Sequence, residues 1–353
     1  MSFERQLAFW LATFVVVIVL LWLLSEILLP FVAGMVIAYL LDPLTNRLER
    51  LGVNRRFAAL LIVGVFVLVV VALLLVLVPP LANQLYAFIG NFPGYVTRLY
   101  ELALSVDVPW LREMLGSGDS SKTLQDLVRE GAGWLAGFLR SLWSGGRALI
   151  SLLSLIVVTP VVAFYLISDW PRIVATVEQW IPLKRRELVH SLFAEIDAAI
   201  AGFVRGQSGV CLILGSYYAL SLSVVGLNFA LLIGLIAGLI SFIPFVGSIS
   251  GLLLGIGVAI AQFWPEWTPI VTVFMIFMVG QFVEGYILAP KFVGENVGLH
   301  PVWLMFAMFA FGYLFGFVGL LVAVPVSAAI GVLLRFALRN YRASTLYTGE
   351  PAS

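Results

Sequence analysis

Glu284 is the one ionisable side chain well inside an uncharged stretch as long as a membrane span. A carboxylate surrounded by hydrocarbon costs at least a few kcal/mol, so it needs a partner or a proton and turns toward protein. With Gln281 one helical turn before it, Glu284 could contact a coupling ion or a substrate. A plainer reading is equally open. Roughly sixteen residues of helix from Thr268 reach roughly 24 Å, which would leave Glu284 near the inner interface and solvated. Two long uncharged stretches flank it, and each is broken by helix-breaking residues. One break is Ser241-Phe-Ile-Pro-Phe-Val-Gly-Ser-Ile-Ser250; the other is Gly312-Tyr-Leu-Phe-Gly-Phe-Val-Gly319. Both carry Phe-Val-Gly, at 245–247 and 317–319.

Irregular backbone at bilayer depth is tolerated only beside protein or a water-filled cavity, and secondary carriers bind substrate at such breaks. The expected pathway therefore involves Ser241, Pro244, Gly247, Gln281, Glu284, Gly316 and Gly319, where glycine lets backbone approach a small ligand closely. Lys291, Asn296 and His300 lie in the polar stretch before the second break and are gate candidates. The competing readings are two ordinary turns between full spans, joined by a solvated loop. Asp42 and Asp169, beside Pro43 and Trp170-Pro171, read as helix ends rather than substrate contacts.

Other chemistries are not supported. The three lysines follow Ser121, Leu183 and Pro290, so no Gly-Lys-[Ser/Thr] phosphate loop exists. There is no zinc-type histidine pair and no Gly-x-Ser-x-Gly elbow, so neither an enzyme nor a cofactor is expected. His190 and His300 are too few for a histidine-built metal site, and Cys211 has no partner for a disulfide.

The elements that hold these residues must be membrane helices. Of 353 residues, 62% are hydrophobic and 11% charged, with a mean hydropathy of +1.08. Soluble domains carry roughly 25% charge, so the expected class is an all-α polytopic membrane protein of about eight spans or span-equivalents. The net charge of +1 gives no indication of nucleic acid as a partner. Residues 1–80 hold three spans, with an interruption at Glu26. Residues 81–148 read as an amphipathic helical hairpin outside the lipid, with stripes at Leu81, Leu85, Phe88 and at Leu124, Leu127, Val128. Residues 149–207 hold a fourth span and an interfacial helix, residues 208–340 a bundle with the two broken hairpins, and residues 341–353 a tail. Arginine placement puts both termini in the cytoplasm and the hairpin outside. The two hairpins would then enter from opposite faces, with substrate passing between their tips.

The sequence resembles the autoinducer-2 exporter (AI-2E) family of bacterial permeases. The matching pieces are Pro30-Phe-Val-Ala-Gly34, Ala38-Tyr-Leu-Leu-Asp-Pro43, Phe164-Tyr-Leu-Ile-Ser-Asp169 and Ser241-Phe-Ile-Pro-Phe-Val-Gly247. They continue with Glu284-Gly-Tyr-Ile-Leu-Ala-Pro290, Leu299-His-Pro301 and Phe315-Gly-Phe-Val-Gly-Leu-Leu-Val-Ala-Val-Pro325. Their order holds from about residue 8 to residue 340. The resemblance implies a permease of the bacterial inner membrane. It would export a small polar metabolite such as the quorum-sensing signal autoinducer-2, or exchange sodium or lithium for protons. It also implies a homo-oligomer, a ring in form, among membrane lipids. A membrane scaffold that recruits envelope partners through the hairpin is the reading without transport.

Overall fold

The computed structural model describes residues 12–13, 16–17, 19–105, 133, 146–183, 186–244, 246–293, 300–342 and 347. The described residues contain helices and no strand. The helices are α1 (Ser25–Arg50), α2 (Arg55–Ser105), α3 (Gly146–Gln179), α4 (Arg186–Val225), α5 (Ala230–Ile240), α6 (Val246–Phe263) and α7 (Trp267–Val283). A π-helix (Glu284–Val293) continues α7, and α8 (Pro301–Arg342) follows. Seven helices among the described residues are long and apolar enough to cross a membrane, so the chain is a polytopic all-α membrane protein. The break expected near Glu26 falls at Leu24, where a turn precedes α1.

Several expected boundaries dissolve into longer helices. The third span and the first hairpin stripe form one helix of 51 residues, α2. The interfacial helix and fifth span likewise form α4, with 40 residues. Uncharged runs mark where lipid begins and ends, whereas a backbone ladder can continue into water beyond both. Asp42 and Asp169 lie inside α1 and α3, so neither ends a helix.

The chain folds as two compact units, and α2 and α4 contribute to both. The first comprises residues 1–67, 153–206 and 291–353. Ala38, Leu41, Ala59, Val63 and Ile167 form its buried cluster. Gly34 lets α1 meet α3 closely, because a Cβ there would strike Val162. Arg55 is the polar hub. Its guanidinium bonds Asp42 at 3.1 Å, Glu49 at 2.8 Å, Asn46 Oδ1 at 2.9 Å and the Ile167 carbonyl at 2.9 Å. Asn46 also donates to Asp42 at 2.8 Å. Asp42 is thus an ion-pair partner tying α1 to α2, and the planar guanidinium fork reaches α3 as well.

α8 packs on α1 and is folded within itself. Gly316 has φ 59° and ψ −137°, outside any helix. In a straight helix residues 312 and 320 would be about 12 Å apart along the axis. Here the Leu320 side chain fills the space beside Gly312, and a Cβ on Gly319 would strike the Phe311 carbonyl. The chain therefore doubles back at Gly316, giving arms 301–315 and 317–342.

The second unit comprises residues 68–152 and 207–290. α6 packs on both α5 and α7, around Val210, Leu214, Tyr218, Leu222, Phe229, Ile233, Val273 and Phe277. Small residues let backbones touch: Gly234 lies against Ala219, Gly238 against Gly215, and Gly251 and Gly255 against the Phe277 ring. Such contacts are how helices associate where lipid is as apolar as leucine. Leu81, Leu85, Phe88 and Tyr95 of α2 pack on this core, a partner for the stripe beyond a second hairpin arm or another subunit. Gln84 accepts from the Leu232 amide at 3.0 Å, satisfying one open donor of α5. The second stripe lies outside the described residues.

Candidate functional site

α5 has only 11 residues, about 16 Å of helix and half a bilayer core. It ends at Ser241, and a turn through Pro244 leads into α6. The loose polar groups of that break are held locally. Ser241 is 1% exposed, and its hydroxyl donates to the Ala237 carbonyl at 2.8 Å. Its carbonyl accepts from Gln207 Nε2 of α4 at 2.5 Å. A Cβ at Gly247 would collide with the Ser241 amide and hydroxyl. Gly247 is therefore where α6 meets the end of α5, and helix packing fills the space beside it.

Along α4, Gln207, Cys211, Gly215 and Tyr218 follow at spacings of four, four and three, which places them on one helical face. Gln207 reaches the break. Further along, Tyr218 is fully buried, its ring stacked on Phe277 of α7 with centroids 4.8 Å apart. Glycine at 280 admits that ring, since a Cβ there would strike the phenol. The Tyr218 hydroxyl has no hydrogen-bond partner among the described residues. A buried polar atom left unpaired costs about 1–3 kcal/mol, and in a native fold it calls for an explanation.

The groups beside that hydroxyl are those of the Glu284 turn. Gln281 Nε2 donates to Glu284 Oε2 at 3.1 Å, so the expected pair is formed. The Gln281 side chain lies within loose hydrogen-bonding reach of the Tyr218 hydroxyl, short of a well-formed bond, and the Glu284 carboxylate is within electrostatic reach of Tyr218 and Cys211. Glu284 is half-buried and opens the π-helix. A π register is rare and concentrates at functional sites, because it shifts side chains and frees carbonyls from the ordinary ladder. The second unit thus brings together a carboxylate, a carboxamide and an orphaned phenol at a change of helical register. It joins them through one face of α4 to the break at Ser241.

The remaining expected residues lie in the first unit or outside the described residues. Gly316 is the fold point of α8, and Gly319 sits against the Phe311 carbonyl. Lys291 is exposed on the π-helix. His300 precedes α8 and caps it: its Nδ1 accepts from the Val302 amide at 3.3 Å and its carbonyl from Trp303 at 2.9 Å. Asn296 lies outside the described residues. Sequence reasoning passed over Gln207 and Tyr218. It also passed over a half-open cavity of about 100 Å³ in the first unit, bordered by Tyr39, Asp42, Trp170, Asp197 and Arg205. There the Tyr39 hydroxyl donates to Asp197 at 2.9 Å, and Arg205 Nε donates to the Tyr39 carbonyl at 2.8 Å. The signal available was charge at helical spacing on α4, which reads equally as a solvated face.

A family model described as AI-2E family transporter matches residues 11–339. The chain belongs to the AI-2E transporter family. It is 30% identical over 326 residues to “Putative transport protein YrrI” of Bacillus subtilis, covering 90% of this chain and 89% of that one. It is 26% identical over 331 residues to “Putative permease PerM” of Escherichia coli, covering 89% and 88%. The AI-2E family is one of transporters, and membership places the Glu284 turn in a membrane permease.

Proposed function

We propose that this AI-2E member is a secondary transporter of the bacterial inner membrane that exports a small polar metabolite or signal, with autoinducer-2 the leading candidate. The observation that carries the proposal is the Glu284 turn. A carboxylate within a membrane-crossing helix, paired with Gln281 beside a buried phenol that lacks a well-formed hydrogen bond among the described residues, supplies acceptors and a donor where lipid supplies none. Ser241, Pro244 and Gly247 form the break linked to this turn through Gln207. The fold of α8 at Gly316 and Gly319 is the second element assigned to transport, and Lys291, Asn296 and His300 are assigned to gating. Both termini are cytoplasmic and the protein is a homo-oligomer in the proposal, supported by the arginine clusters and by the second apolar stripe expected within residues 81–148.

Sodium or lithium/proton antiport is the second reading, favoured by the same carboxylate. Proteoliposomes decide between them. Export of labelled autoinducer-2 into vesicles, lost in Glu284→Gln, is the expected result. Sodium-driven proton flux without metabolite, followed with an internal pH dye, would replace export with antiport. Neither flux at full reconstitution would overturn the transport role assigned to the turn.

A further inference from the structure

α8 ends in a basic cavity that plays no part in the Glu284 turn. Arg335, Leu338, Arg339 and Arg342 border a space of about 240 Å³ at the C-terminal end of α8. The arginines follow at spacings of four and three, so they share one face. Among the described residues, one carboxylate is paired with two of them. Glu195 of α4 stands 3.7 Å from Arg335 and 3.6 Å from Arg339, at the long end of ion pairing. Arg342 has no ion-pair partner among the described residues. Among the described residues, Arg339 and Arg342 face one carboxylate between them, which leaves net positive charge beside the cavity.

An adjoining stripe of the helix is apolar on its membrane side. Leu334 and Leu338 are 57% and 54% exposed and stand four residues apart, leading from the uncharged part of α8 into the arginines. An exposed leucine stripe running into a guanidinium cluster at the end of a membrane helix is complementary to one class of molecule. Its ligand must have a hydrocarbon tail along the helix and an oxyanion at its end. We propose that the α8 terminus is a binding site for an anionic phospholipid, with the lipid phosphate held among Arg335, Arg339 and Arg342 and an acyl chain along Leu334 and Leu338. Guanidinium groups bind phosphate with paired N–H donors, and basic clusters at span ends attract anionic headgroups. Glu195 opposes the phosphate and sets how tightly it is held.

The test uses the full-length protein in a nonionic detergent. Binding of dioctanoyl phosphatidylglycerol, dioctanoyl phosphatidylcholine and inorganic phosphate is followed by native mass spectrometry. The expected result is at least tenfold tighter phosphatidylglycerol than phosphatidylcholine. Each arginine removed should weaken phosphatidylglycerol about fivefold, so Arg339→Gln/Arg342→Gln loses roughly 25-fold. Both side chains are exposed, so the fold should survive. Glu195→Gln should tighten binding, whereas Arg98→Gln/Arg172→Gln, an equal loss of charge elsewhere, should leave it unchanged. Equal binding of the two lipids, or an equal loss in the Arg98/Arg172 variant, would overturn the site. Inorganic phosphate bound as tightly as phosphatidylglycerol would assign the cavity to a free anion and overturn the lipid.

Discussion

Tyr218 offers the sharpest separation of fold from function. Its buried hydroxyl makes no well-formed hydrogen bond among the described residues, so Tyr218→Phe removes a polar atom that the resting fold satisfies poorly. Stability should stay level or rise by about 1 kcal/mol, read as the thermal unfolding midpoint. If the hydroxyl serves a transported group, flux should nevertheless fall at least severalfold; an unchanged flux in the stabilised variant would reduce Tyr218 to a packing residue. Gly247 behaves in the opposite way. A Cβ there meets the Ser241 backbone, so Gly247→Val should lower the amount of folded protein in the membrane along with its flux. A folded, abundant Gly247→Val variant in quantitative immunoblots would contradict that packing. Glu284 was legible in the sequence because a lone carboxylate stands out in an uncharged run. Tyr218 was not, because a tyrosine in an apolar run ordinarily reads as core, and only the want of a well-formed hydrogen bond marks it. Gln207 was hidden for a related reason: it sits just before an uncharged run, where a polar side chain looks like the water boundary.

At the scale of elements, membrane character and helix class were written in the composition, and both breaks were visible as Pro and Gly within uncharged stretches. Helix length was not. Hydropathy records where lipid is, and so it divided α2 and α4 at points where the backbone ladder continues. The fold in α8 is the most testable element. Gly316 has φ 59°, yet nothing lies within 4 Å of a Cβ built there, so Gly316→Ala isolates the backbone cost from any steric one. That cost should be about 1–3 kcal/mol, measured as a lower unfolding midpoint, and an unaltered midpoint would show that the chain turns there without strain. The Arg55 hub makes a complementary prediction for the first unit. Its side chain is 17% exposed and ties α2 to groups on two other helices. Arg55→Lys keeps the charge and loses the fork, so it should destabilise by about 1–2 kcal/mol. If lysine restored full stability, charge alone would account for the hub.

For the whole molecule, the length of α2 connects topology to assembly. At 51 residues it is about 77 Å long, while a hydrocarbon core takes about 30 Å. With Arg55 at the inner face, as proposed from the arginine clusters, about twenty residues cross and the helix leaves lipid near Pro79-Pro80. The remainder would then stand outside, and its Leu81, Leu85, Phe88 and Tyr95 serve the core of the second unit. Deleting the whole segment 81–147 would strip that core and the Gln84 cap, confounding folding with assembly. A deletion confined to 106–145 avoids this. It removes the second stripe, whose apolar face needs a partner, and leaves 81–105 in place. The expected outcome is an inserted protein with an unchanged unfolding midpoint and a lower oligomeric order by native mass analysis. Labelling in a Cys211→Ser background checks the orientation in parallel: a cysteine placed at Gly118 should react with an impermeant maleimide from outside the cell. An unreduced oligomer would end the role of the arm in assembly, and labelling only from the cytoplasmic side would invert the topology on which it rests.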